Sequence, residues 1–180
     1  QVVEPGAQEG HQVRIALHGG LGQEGVGLPI VLGAKGHANL QQARLDARYD
    51  ERFFAPWGQA RASLSAAEAF WGVDSYGGRQ GYAENLQPIG RERWEQLLAA
   101  LQRESYPSLA RPAITVRNTA CRVFPSQRPF FLDPGRAGEG FPFDYFQNSA
   151  LWAGTPLLVT HASLDGAWVF AETGFVCGWL

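Results

Sequence analysis

Methionine is absent from these 180 residues. An intact reading frame opens with Met, so Gln1 is expected to follow processing or trimming, or to begin a fragment, and no signal peptide is visible. Lysine is almost absent too: Lys35 stands alone, and 15 Lys+Arg against 17 Asp+Glu leave a formal net charge of -2. No basic stripe forms, which removes the electrostatic footprint that nucleic acid or an anionic membrane surface would require. No apolar run approaches the ~18 residues of a membrane span. The longest, Leu28 to Ala34, is broken by Pro29 and Gly33. Cysteine is limited to Cys121 and Cys177, too few for a disulfide framework. Both are read as small buried core residues; a bridge between them, in an oxidising compartment, is the alternative.

What is present divides into three stretches. Residues 1–40 are glycine-rich with little periodicity and read as a flexible leader. The run GGLGQEG within it lacks the Lys-Ser/Thr that holds phosphate and magnesium, so nucleotide binding is not expected. Residues 41–111 read as helical. Leu45, Tyr49 and Phe53 recur at i, i+4 and i+8, and Pro56 ends that helix. Phe53-Phe54-Ala55-Pro56-Trp57 is expected to plug onto a neighbouring unit. A short helix follows over 64–71, with Ser63 or Ser65 as N-cap. The clearest helix is Arg91 to Gln102, with Trp94, Leu97, Leu98 and Leu101 as its apolar face and Arg91–Glu95 as an i,i+4 pair.

From residue 112 to 180 the pattern turns to short β-branched and apolar runs. Strands are expected at 114–116, 121–123, 157–160, 168–170 and 175–179, with a proline- and glycine-rich loop over 124–153. Asp165-Gly166 is the strongest hairpin signal. The fold class expected is α+β: a helical N-terminal segment followed by a small β-barrel.

Candidates for chemistry are few. No cofactor motif is present. His11, His18 and His37 fit no zinc spacing. Cys121 and Cys177 sit in strands, away from any helix N-terminus that would lower a thiol pKa. His161 reads as a hairpin-edge residue, with a Cys177–His161 nucleophile pair as a weaker alternative. The better candidate is the aromatic loop Gly138-Glu139-Gly140-Phe141-Pro142-Phe143-Asp144-Tyr145-Phe146-Gln147. Part of its rings are expected to fold onto the barrel. The remainder, with Asp144, Tyr145 and Gln147, could wall a pocket, Asp144 taking a cationic amine and the Tyr145 hydroxyl orienting it.

A family resemblance rests on Ile114-Thr115-Val116, Arg122 to Pro129 (RVFPSQRP), Gly138 to Asp144 (GEGFPFD), Asp165-Gly166-Ala167-Trp168 and Gly178-Trp179. Together they resemble the first bacterial SH3-like domain of multidomain NlpC-type cell-wall peptidases. The FFAPW cluster and the Trp94 helix resemble the helical stabilising segment of the same proteins. The resemblance implies a γ-D-glutamyl-L-diamino-acid endopeptidase acting on peptidoglycan stem peptides. It implies a periplasmic or cell-envelope location reached by export, with a lipoprotein form. The family's papain-like domain, with its Asp-Cys-Ser-Gly type motif, has no counterpart here and is expected C-terminal to Leu180. These residues would then be the non-catalytic, substrate-shaping portion, with Glu139, Asp144 and Tyr145 contacting the stem peptide and the catalytic domain as covalent partner. The alternative is a self-contained SH3-like binding or scaffold module.

Overall fold

The structure, a computed structural model, describes residues 15–17 and 36–180. The glycine-rich GGLGQEG run, His11 and His18 lie outside these residues. Helix α1 spans Gly36–Phe54 and runs into a 3-10 turn over Ala55–Gly58. Its Tyr49 and Phe53 rings stack at 5.4 Å, and Tyr49 stacks on Phe175 at 5.8 Å. Among the described side chains, α1 is anchored through its C-terminal end. Arg52 Nε donates to Gly174 O at 2.8 Å, and its guanidinium lies 4.9 Å from the Phe175 ring centroid. Glycine is required at 174 because a Cβ there would stand 2.0 Å from the Arg52 carbonyl oxygen. Pro56 is buried, and Trp57 Nε1 donates to Ala113 O at 2.9 Å. The expected plug therefore seats on the sheet.

Helix α2 (Ala66–Ala69) opens with Ser65 and Glu68 in a reciprocal capping box, each satisfying the other's backbone N–H. The cap is Ser65; Ser63 instead binds Glu172. Helix α3 (Trp71–Tyr76) follows at once and lies hard against the sheet. A Cβ on Gly72 would stand 2.2 Å from Val123 Cγ1. Helix α4 (Arg91–Ala100) turns Trp94, Leu97 and Leu101 inward, while Leu98, expected on the same face, is exposed. The Arg91–Glu95 pair forms at 2.7 Å on the solvent side.

Among the described residues seven strands make one antiparallel sheet: β1 (Ile15–Leu17), β2 (Arg111–Thr115), β3 (Thr119–Arg122), β4 (Gln147–Leu151), β5 (Pro156–Ala162), β6 (Val169–Glu172) and β7 (Cys177–Trp179). Their order is β1-β2-β5-β6-β7-β3-β4. The α+β class and the SH3-type strand set are as expected, and the Asp165-Gly166 turn joins β5 to β6 with Gly166 at φ +67°. Strand β4 corrects one expectation, since it lies inside the segment read as loop. Gln147-Asn148-Ser149-Ala150-Leu151 lacks apolar alternation because β4 is an edge strand and buries little besides Leu151.

The sheet is buried on both faces, and β5 shows it: six of its seven residues are buried. One face holds small and aliphatic residues, Ala113, Cys121, Leu151, Leu157, Val159, Ala171 and Leu180. The other carries an aromatic core, Phe70, Phe124, Phe130, Phe146, Phe170 and Trp179, to which α2, α3 and α4 are docked. Successive residues alternate between the two, Phe170 with Ala171 and Trp179 with Leu180. A register shift between Val159 and His161 breaks this alternation. It turns His161 to the aromatic side, beside Phe70, Tyr106 and Trp179. His161 is consequently fully buried, not the hairpin-edge residue its position beside the turn suggested.

Candidate functional site

The alternative Cys177–His161 nucleophile pair does not assemble. His161 Nε2 donates to Leu101 O at 2.9 Å, since a carbonyl can only accept, and Nδ1 takes the Ser108 hydroxyl at 2.8 Å. Both ring nitrogens are engaged with groups that are not thiols. Burial pushes the Cys121 thiol up to about 12, with Cys177 adding to the effect. Burial also raises the Cys177 thiol. A thiolate, the reactive form, is disfavoured at both positions. Both cysteines are free: Cys121 is buried in the core, and Cys177 is half-buried against it. Among the described residues no cluster of three or more His, Cys, Asp or Glu could hold a metal ion.

The loop between β3 and β4 is ordered from beneath by one side chain. Arg122 is buried at the end of β3. Its Nη1 donates to Asp144 Oδ2 at 2.6 Å and to Gln147 Oε1 at 3.1 Å. Nε reaches Ser126 O at 2.9 Å and Nη2 reaches Arg128 O at 3.0 Å. The guanidinium thus ties the outgoing arm of the loop to the returning arm, using the planar fork that lysine lacks. Asp144 completes the clamp. Its Oδ1 accepts from the backbone N–H of Phe130 at 3.0 Å and of Phe146 at 2.9 Å. Phe130 and Phe146 then stack at 4.8 Å inside the aromatic core.

This clamp sorts the four rings of the loop. Phe146 goes fully inside and Tyr145 is half-buried. Phe143 and Phe141 stay outside, at 53% and 79% exposure. Between Phe143 and the helical unit lies a cavity of about 360 Å³. Trp71 and Tyr76 of α3 form one wall, and Gly138, Phe143, Asp144 and Tyr145 of the loop form the other. Val123, Gln147 and Asn148, at the ends of β3 and β4, complete it. Two of the three candidate residues, Asp144 and Tyr145, therefore line one pocket. Glu139 is not among its lining residues. It sits on the other arm of the loop, 3.9 Å from Arg136 Nη1, and accepts from Asp133 N at 3.3 Å.

The electrostatics of the pocket follow from the clamp. Asp144 is the one lining carboxylate among the described residues, and both its oxygens already have partners. The Tyr145 hydroxyl makes one long contact, 3.4 Å to Gly138 O, and keeps most of its hydrogen-bonding capacity. Burial raises the Tyr76 hydroxyl pKa against the opposing pull of Arg79, and Tyr145 adds a smaller upward push. Asn148 Nδ2 donates to Cys177 O at 3.0 Å, which fixes that amide at the rim. Trp71, Tyr76 and Asn148 carry no local sequence signal for this role. Trp71 reads as the end of a short apolar helix, and it meets the loop only because α3 docks across β3.

Known proteins resemble this chain in two blocks. Residues 35–106 match the family described as "NLPC_P60 stabilising domain, N term", and residues 129–180 match "SH3 domain (SH3b1 type)". A solved structure titled "Insights into a novel NlpC/P60 Endopeptidase from Photobacterium damselae subsp. piscicida" superimposes with a TM-score of 0.71 at 23% identity. The match covers 81% of this chain and 35% of that one, so the chain spans about a third of that endopeptidase's length. No curated protein matches the sequence.

Proposed function

We propose that this chain, which carries the N-terminal stabilising domain and an SH3 domain of NlpC/P60 proteins, is the non-catalytic, substrate-shaping portion of a bacterial peptidoglycan stem-peptide hydrolase. The bond cut is the one between γ-D-glutamate and the diamino acid of the stem. The chemistry is supplied by a cysteine peptidase domain outside these residues, and the protein works in the periplasm or cell envelope. The observation that carries the reading is the pocket itself. It is walled jointly by the helical unit and the SH3 loop, and its shape is set by the Arg122–Asp144 clamp. Tyr145 offers the hydroxyl that meets the ligand, Asp144 holds the loop from inside the same wall, and Glu139 sits on the loop's outer arm, where the peptide passes. The buried, high-pKa thiols support assigning the chemistry elsewhere.

The test uses the purified chain and muropeptides from digested peptidoglycan. Binding without cleavage is expected, and Tyr145→Ala should weaken it. Cleavage by this chain alone would overturn the assignment. The alternative, a self-contained binding module, draws on a second groove of about 250 Å³ lined by Tyr49, Phe53, Trp152 and Phe175. Trp152 there is 75% exposed, while its carbonyl is held by the Thr115 and Thr155 hydroxyls at 2.5 and 2.8 Å. Loss of muropeptide binding in Trp152→Ala, with Tyr145→Ala unaffected, would favour that module.

A further inference from the structure

Away from the pocket, a buried imidazole stands behind an exposed hydroxyl. Ser108 lies in the connection between α4 and β2 and is exposed, whereas His161 of β5 is fully buried. Ser108 Oγ is 2.8 Å from His161 Nδ1. The Leu101 carbonyl, 2.9 Å from Nε2, holds the ring proton on that nitrogen. Nδ1 therefore carries the lone pair and faces the serine. Phe70, Tyr106 and Trp179 surround the ring and fix its plane. The serine is fixed as well, because Ser108 N and Leu109 N both donate to Thr160 O, at 3.1 and 3.0 Å. A nucleophile, a base within hydrogen-bond reach and a group that orients the base are thus assembled in order.

We propose that Ser108 is an activated nucleophile and a site of covalent acylation by activated acyl esters. Its Oγ attacks the acyl carbon while its proton passes to His161 Nδ1. The bond from the acyl carbon to the leaving oxygen then breaks, and His161 returns the proton to that oxygen. The products are a Ser108 ester and a free alcohol. Because the N–H groups of Ser108 and Leu109 are already spent on Thr160, neither is free to stabilise an oxyanion. Amide bonds, with their poor leaving groups, are beyond this pair, so the proposal stands apart from the stem-peptide reading and does not depend on it.

Ser105 supplies an internal control three residues away. It too is exposed, but its hydroxyl donates to the Gln102 carbonyl at 2.9 Å, a group that cannot take up the proton. The chain is incubated with p-nitrophenyl acetate, and acetylated serines are located and timed by tandem mass spectrometry of its peptides. Ser108 should be acetylated about a hundredfold faster than Ser105, the low end of what a positioned general base contributes. His161→Gln removes the base and should bring Ser108 down to the rate of Ser105, with a melting curve confirming the fold. Equal rates at the two serines in the parent chain, or a Ser108 rate that survives His161→Gln in a folded chain, would overturn the proposal. If that variant unfolds, the Ser105 comparison in the parent decides alone.

Discussion

The two faces of the sheet are built from different materials. One is packed with Ala, Cys, Val and Leu, drawn almost wholly from the strands themselves. The other is packed with Phe, Tyr and Trp drawn from strands, loop and the helices α3 and α4 with the Phe70 that precedes α3. The small-residue face has only to close the sheet on itself. The aromatic face has to join units distant in sequence, and large rings bridge the wider gaps. Polar fittings concentrate on that second side as well: His161 with Ser108 and Leu101, Glu172 with Ser63 and Tyr106, Arg122 with Asp144. The pocket opens at the edge of the same side. The pocket-lining residues are thus tied to the core that joins the units.

Substitutions on the two faces should therefore differ in reach. Phe146→Ala, which removes a fully buried ring stacked on Phe130, is expected to cost about 3–5 kcal/mol in denaturant unfolding and to loosen the loop and α4 together. Leu157→Ala on the small-residue face should cost about 2–5 kcal/mol yet leave hydrogen-exchange protection in the loop intact. Equal loss of loop protection in both variants would break the distinction.

Arg122→Met should cost about 3 kcal/mol, because it strands the Asp144 carboxylate and the Ser126 and Arg128 carbonyls. Adding Asp144→Asn should recover part of the loss, so a double-mutant cycle reads the clamp directly. Strict additivity would show that the two residues act apart.

Glu172→Gln should cost about 1–2 kcal/mol. The carboxylate accepts from Ser63 N, the Ser63 hydroxyl and Tyr106, and so fastens the helical unit to β6. Unchanged stability would detach that link from the aromatic side.

The smallest expected effect is on alkaline stability. Burial, with Glu172 nearby, pushes the Tyr106 hydroxyl up to about 12 from an ordinary 10. Between those values the unfolded chain releases the proton and the folded chain keeps it. Stability is therefore whole below about pH 10 and declines as pH rises towards 12. Melting temperatures followed over that range should fall less steeply in Tyr106→Phe than in the parent.

Much of this was legible in the residues. The Tyr49–Phe53 pair of the first helix, the Trp94 helix and the Asp165-Gly166 hairpin all carry a local periodicity or a turn chemistry that survives in the fold, whereas Leu45 of the same stripe stays exposed. The family resemblance is also matched by both of its blocks. Strand β4 was hidden because an edge strand buries one face weakly and needs no alternation. The burial of His161 was hidden because a single β-bulge inverts which face a residue occupies. The pocket was legible only from one side. Asp144 and Tyr145 lie in an aromatic loop that attracts notice, whereas Trp71 and Tyr76 arrive from some seventy residues earlier through the docking of α3. The Arg122–Asp144 pair spans 22 positions, and neither side chain announces the other.

The central claim is that ligand binds where the aromatic side opens, between α3 and the loop. Backbone amide shifts of the chain, followed by NMR as a peptidoglycan stem peptide is added, test it most directly. The account predicts saturable changes confined to residues 71–76, 138 and 143–148. Changes centred instead on Trp152 and Phe175, or none at all, would contradict it.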